Sequence, residues 1–187
     1  MRSELQYLLR IILFLFLGNS LHAQDNSARL TIMSGGNVPF AFDAWSKFQS
    51  GVAYTNWTLL GIDVTDLPPH PDLTANFTSW DLNFYATSAV IQGDAPANTL
   101  DLRTLRVKAS KGPLCCAGSA GGLPTAFIPL SVVSQALVLS AKPLPAASSA
   151  NQVYISYDCG VNPGFSLINA VPDFYTVTIV FDLEPDF

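Results

Sequence analysis

Apolar and polar residues alternate with a period of two along much of the chain. From Tyr175, the set Tyr175, Val177, Ile179, Phe181 and Leu183 points one way, while Thr176, Thr178, Val180 and Asp182 point the other. This is the pattern of a strand with one buried face. Trp80, Leu82, Phe84 and Ala86 alternate in the same manner with Asp81, Asn83, Tyr85 and Thr87. Further strands are predicted over residues 30–33, 38–42, 57–64, 99–108, 127–139 and 152–157. Within 99–108 the apolar set changes parity between Leu102 and Leu105, so a bulge or break is expected near Arg103-Thr104.

Turn chemistry separates these runs: Pro68-Pro69-His70-Pro71, Gly93-Asp94-Ala95-Pro96, Lys111-Gly112-Pro113, Gly121-Gly122 and Asn162-Pro163-Gly164. No window carries a convincing amphipathic helix. The expected architecture is all-β, an antiparallel immunoglobulin-like sandwich of about eight strands in two packed sheets, with a β-barrel as the alternative. The Ala-, Ser- and Pro-rich stretch 141–150 reads as a loop, since too little chain follows it to build a second core. There is no internal repeat.

The N-terminus has a different character. Arg2 and Arg10 precede an apolar run over 11–17, then Gly18-Asn19-Ser20 and Leu21-His22-Ala23, the layout of a cleavable secretory signal. The run is far shorter than the roughly 20 residues needed to cross a bilayer. Residues 1–23 are therefore expected to be removed, leaving 24–187 as a single sandwich domain with no integral membrane segment. The expected location is secreted, in the periplasm or at a cell surface.

Charge narrows the partners. Only 12% of the 187 residues are charged, and the net charge is −5. Nucleic acid and anionic membrane are disfavoured as partners. Three cysteines remain after signal removal, Cys115, Cys116 and Cys159, an odd count that forbids full pairing. A disulfide from Cys159 to Cys115 or Cys116 is expected, closing a loop of about 43 residues and contributing about 4 kcal/mol in the chain-entropy model. A vicinal Cys115–Cys116 bridge and three free thiols are the alternatives.

Catalytic chemistry finds little support. His70 is the one histidine of the mature chain and stands between prolines. A Ser-His-Asp arrangement would have to use it with Ser119 and Asp94 or Asp101 inside 50 residues, and the G-x-S-x-G elbow is missing. The run Gly118-Ser119-Ala120-Gly121-Gly122 lacks the Lys-Ser/Thr of a phosphate cradle. Glu184 is the one glutamate of the mature chain, which leaves glycosidase chemistry to an Asp pair. The chain is thus expected to be no enzyme and to carry no cofactor. Asp63, Asp66 and Asp72 bracket one loop and are candidate ligands for a structural calcium ion.

Trp45, Trp57 and Trp80, with Tyr54, Tyr85, Tyr154 and Tyr157, are candidates for a sugar-stacking platform, although Trp80 shares its strand face with Leu82 and Phe84 and reads as core. Asn56-Trp57-Thr58 and Asn76-Phe77-Thr78 fit the N-glycosylation pattern, which matters only in a eukaryotic secretory pathway.

The signal segment, the strand beginning Trp80-Asp81-Leu82, the turn from Gly93 to Asn98-Thr99-Leu100 and the alternating strand from Tyr175 to Phe181 together resemble the pilin-like β-sandwich proteins of bacterial surfaces, among them fimbrial subunits and spore-coat-type domains. The resemblance spans residues 51–183. It implies a fimbrial-like, bacterial, structural or adhesive cell-surface subunit, with self-assembly or a surface glycan as partner. A small carbohydrate- or ligand-binding module is the alternative. The chain departs from usher-assembled subunits in the placement of its cysteines and in its Glu184-Pro185-Asp186-Phe187 tail. In donor-strand assembly, the N-terminal segment with Leu30 and Ile32 would add to a neighbour's open sheet edge. Otherwise it is the first strand of its own sandwich.

Overall fold

Eleven strands, one short helix and one 3₁₀ turn follow one another in the described residues of the computed structural model, 26–66, 79–113, 123, 126–141 and 151–186. The strands are β1 (Asn26–Ser34), β2 (Val52–Asp66), β3 (Ser79–Ala86), β4 (Val90–Gly93), β5 (Thr99–Asp101), β6 (Leu105–Lys111), β7 (Ile128–Pro129), β8 (Gln135–Ala141), β9 (Gln152–Cys159), β10 (Tyr175–Thr176) and β11 (Ile179–Asp186). Helix α1 covers Trp45–Ser50, and the 3₁₀ turn Leu102–Thr104 separates β5 from β6.

The fold is an all-β antiparallel sandwich, with no closed barrel among the described residues. One sheet has five strands in the order β1-β2-β9-β6-β7, the facing sheet has three in the order β11-β3-β8, and a small third sheet joins β10-β4-β5. The core lies between the two larger sheets. Leu60, Ile62, Val107, Val153 and Ile155 enter it from the five-stranded sheet, and Trp80, Leu82, Phe84, Leu137 and Val138 from the three-stranded one. Burial alternates strictly along β3, where the four outward residues Ser79, Asp81, Asn83 and Tyr85 are half-exposed and Trp80, Leu82, Phe84 and Ala86 are buried. That is the physical content of a period of two, because successive side chains leave opposite faces of a pleated strand.

Several predicted strands are divided by the tertiary structure. The break near Arg103-Thr104 is real: Asp101 accepts a hydrogen bond from the Arg103 amide, caps the 3₁₀ turn and lets the chain leave the small sheet for the five-stranded one. Residues 127–139 form two strands. At Leu130 the amide donates to Leu105 in one sheet, and at Ser131 the carbonyl accepts from Ala86 in the other, so the chain changes sheets there. The terminal alternating run is shared in the same way, β10 pairing with β4 and β11 with β3. These divisions account for three sheets and eleven strands where two sheets and about eight strands were expected.

One expected strand is absent and one observed strand was not expected, each for a local reason. Residues 38–42 form no strand, because aromatic side chains of β2 hold the backbone there in place of a ladder. The Tyr54 hydroxyl donates to the Pro39 carbonyl and the Trp57 indole N–H to the Asn37 carbonyl, at 2.6 and 2.8 Å. Gly35, at φ +69°, permits the approach, since a Cβ there would run into the Trp57 carbonyl. The turn read at Gly93 also conceals β4, whose four residues are held by β5 on one side and β10 on the other.

Candidate functional site

The sequence-selected residues are scattered. Cys159 ends β9 with 6% exposure and a thiol that forms no bridge among the described residues, and burial, reinforced by the adjacent Asp158 carboxylate, pushes its pKa up to about 12. A thiol so placed is an apolar filler and a poor nucleophile. Its expected bridge partners, Cys115 and Cys116, lie outside the described residues, as do His70, the Gly118–Gly122 run, Asp72, Asn76 and the signal segment. Asp63 stands across from Arg29 on the outer side of the five-stranded sheet. Among the described residues no three His, Cys, Asp or Glu side chains are grouped so as to hold a metal ion. No helix among the described residues is long and apolar enough to cross a membrane.

Leu30 and Ile32 lie on β1, which pairs with β2 of the same chain, Leu30 opposite Ile62 and Ile32 opposite Leu60. They are not equivalent. Leu30 packs against the core, whereas Ile32 is 54% exposed just before a register shift between Ile32 and Ser34.

The aromatic candidates separate by role. Trp80 and Tyr157 are core residues. The Tyr157 hydroxyl pairs with that of Thr58 at 2.9 Å, and burial raises its pKa to about 12. Tyr54 and Trp57 pack at 4.6 Å between ring centroids, with Phe40 against Tyr54. Since their polar tips already hold the 37–39 backbone, this cluster anchors a loop. Trp45, on α1, is 63% exposed.

Two arrangements emerge that the sequence did not single out. The first is a polar network on the outer face of the five-stranded sheet. Asp158 and Arg106 form a two-pronged ion pair at 2.8 and 2.7 Å, with the guanidinium also over the Phe127 ring. Beside it, Asn56 adopts φ +53° in a bulge between Tyr54 and Thr58. Its amide N–H donates to the Ser156 hydroxyl, and its side-chain oxygen accepts from Ser110 at 2.8 Å. Asn tolerates the left-handed region better than other non-glycine residues, and here it ties β2, β6 and β9 together. The network is internally satisfied, which fits a structural seal over β9.

The second lies at the end of the sandwich where β1 leads into α1, β3 into β4, β7 into β8 and β9 into β10. A cleft of about 360 Å³ opens there between Ala97–Asp101 with Thr104 on one side and Gly164–Val171 with Tyr175 on the other. Its walls are braced. Asp173 accepts from the Ala95 amide, the Asn98 side chain and the Phe174 amide, and these bonds hold its carboxyl below the ordinary carboxylate pKa. Asn162 donates to the Arg103 carbonyl, and the Arg103 guanidinium lies 4.3 Å from the centroid of the Phe165 ring. Around the cleft and on the neighbouring connections stand large apolar side chains in solvent: Val132, Val133, Val161, Ile168, Val171 and Phe174, the last 81% exposed. Gly93-Asp94-Ala95-Pro96 and Asn162-Pro163-Gly164 were legible as turns, but nothing local showed that the segments following them face each other.

Chemically, this end offers hydroxyl, amide and ring surfaces with an apolar border, and its one charged lining side chain, Asp101, is neutralised by Arg103 at 2.6 Å. No family model matches the chain, and no curated protein matches it.

Proposed function

We propose that the chain is an exported, non-catalytic structural or adhesive subunit of a cell surface, fimbrial-like in character, which meets its partner through the loop end of the sandwich. The observation that carries this reading is the apolar loop end itself: Val132, Val133, Val161, Ile168, Val171 and Phe174 stand exposed on connections that converge there, with Trp45 on the helix between β1 and β2. Large apolar side chains gathered in water mark contact surfaces, and loops carried on a rigid sheet scaffold are where binding residues collect. Because β1 already fills the edge beside β2, this contact needs no strand exchange.

The test compares the purified protein with Val171→Asp/Phe174→Asp and Val132→Asp/Val133→Asp, by size-exclusion chromatography, negative-stain microscopy and attachment to cells. Both variants should keep the circular dichroism of the parent and lose assembly or attachment. A parent that neither assembles nor attaches, or variants that do so as well as the parent, overturns the reading. Export is checked separately: mass spectrometry of the exported protein should place its N-terminus at or near Gln24.

A further inference from the structure

We propose that the cleft between Ala97–Thr104 and Gly164–Tyr175 binds a neutral, polyhydroxylated ligand: a saccharide unit, free or at the end of a glycan. The proposal deepens the adhesive reading and rests on it for its biological setting only. The cleft volume of about 360 Å³ lies within the range of small-molecule sites. Among the neutral polar side chains that line it, Thr99, Thr104, Ser166 and Asn169 make no side-chain hydrogen bond to the described residues. Each can donate as well as accept, the two-way capacity that a sugar hydroxyl demands.

The other lining groups select against alternatives. The Asp101 carboxylate accepts three hydrogen bonds from Arg103, donated by its backbone amide, Nε and Nη2. Arg103 in turn is engaged with that carboxylate and with the Phe165 ring, so the cleft presents no unpaired charge to an ionic ligand. The rings of Phe165 and Tyr175 supply flat surface for the C–H face of a sugar. The Tyr175 hydroxyl donates to the Val171 carbonyl and Asn98 donates to Asp173, which leaves the oxygen of each free to accept. The braces through Asp173 and Asn162 fix both walls before any ligand arrives, which lowers the ordering cost of binding.

The experiment titrates methyl α-mannoside, methyl β-galactoside and N-acetylglucosamine, each separately, into isotope-labelled protein, with inorganic phosphate as the charged comparator, and follows amide resonances. At least one neutral probe should shift signals of 97–104 and 164–175 saturably, and phosphate should not. Asn169→Ala and Ser166→Ala, both at exposed positions, should each weaken that binding about five-fold, the value of one neutral hydrogen bond. Absence of saturable shifts with all three sugars, shifts mapping elsewhere, equal binding of phosphate, or unchanged affinity in both variants overturns the proposal. Phe174→Asp lies outside the lining and should leave the titration unaltered. A cleft that binds no sugar while assembly still depends on Phe174 overturns the cleft alone, whereas sugar binding without assembly or attachment overturns the subunit reading alone.

Discussion

β9 and β11 are both eight-residue strands with alternating apolar residues, yet they meet opposite fates. β9 lies between β2 and β6, and seven of its eight residues are buried, including Gln152, Ser156 and Asp158 on its polar face. β11 is an edge strand whose inward residues Ile179, Phe181 and Leu183 are only half-buried and whose Asp182, Glu184 and Asp186 face solvent. Alternation declares which face looks inward. Position in the sheet order decides how deep that face goes, and neighbouring side chains decide whether the other face is sealed as well. On β9 the seal is the Arg106–Asp158 pair and the Asn56 bulge; β11 has an acidic, open counterpart.

The sharpest way to break the comparison is to delete apolar volume from both strands. Ile155→Ala on β9 should cost about 2 to 5 kcal/mol in chemical denaturation, the range for a fully buried aliphatic side chain. An effect no larger than that of Phe181→Ala would erase the distinction. Next in size is Arg106→Met, which leaves the Asp158 carboxylate, 4% exposed, without its partner. Breaking a buried pair from one side should cost about 3 kcal/mol, with much of it recovered by adding Asp158→Asn.

Leu30→Asp should lower the unfolding midpoint by about 2 kcal/mol equivalent, as it puts a charge against the core, while Ile32→Asp should stay within about 0.5 kcal/mol as a surface change. Equal effects would contradict the burial difference along β1. Phe181→Ala should cost about 1 to 2 kcal/mol, less than the 3 to 5 typical of a fully buried Phe, because part of its area is already in water. The protein should therefore remain soluble with this change.

The last effect depends on pH. Cys159 and Tyr157 are held neutral by burial, with pKa values raised from 9.0 and 10.0 to about 12. The unfolded chain releases those protons first, so the stabilisation is complete below about pH 9 and is lost as pH climbs toward 12. Denaturation midpoints should fall between pH 9 and 11, and Cys159→Ala should remove the part of the slope that begins near pH 9.

Local pattern reached far into this fold. The parity change at Leu102 and Leu105 located the 3₁₀ turn, and the alternation of Trp80, Leu82 and Phe84 located three of the largest core side chains. The same logic over-extended 127–139 and the terminal run, since a change of sheet leaves the side-chain period intact and shows only in which carbonyl an amide meets. The candidate site was legible only in pieces: Gly93-Asp94-Ala95-Pro96 and Asn162-Pro163-Gly164 announced turns, while the exposed apolar residues 168, 171 and 174 were not singled out.

The sequence by itself determined the all-β class, the inward faces of the long strands and the places where the backbone must turn, because each of these depends on a residue and its near neighbours. Tertiary structure alone decided that β9 is sealed on both faces, that Arg106 meets a carboxylate 52 residues away, that Tyr54 and Trp57 fasten a loop, and that residues 97–104 face 164–175 across a cleft. Those outcomes depend on sheet order and register, which bring together side chains far apart in the chain, and no local period records which distant strand will lie alongside.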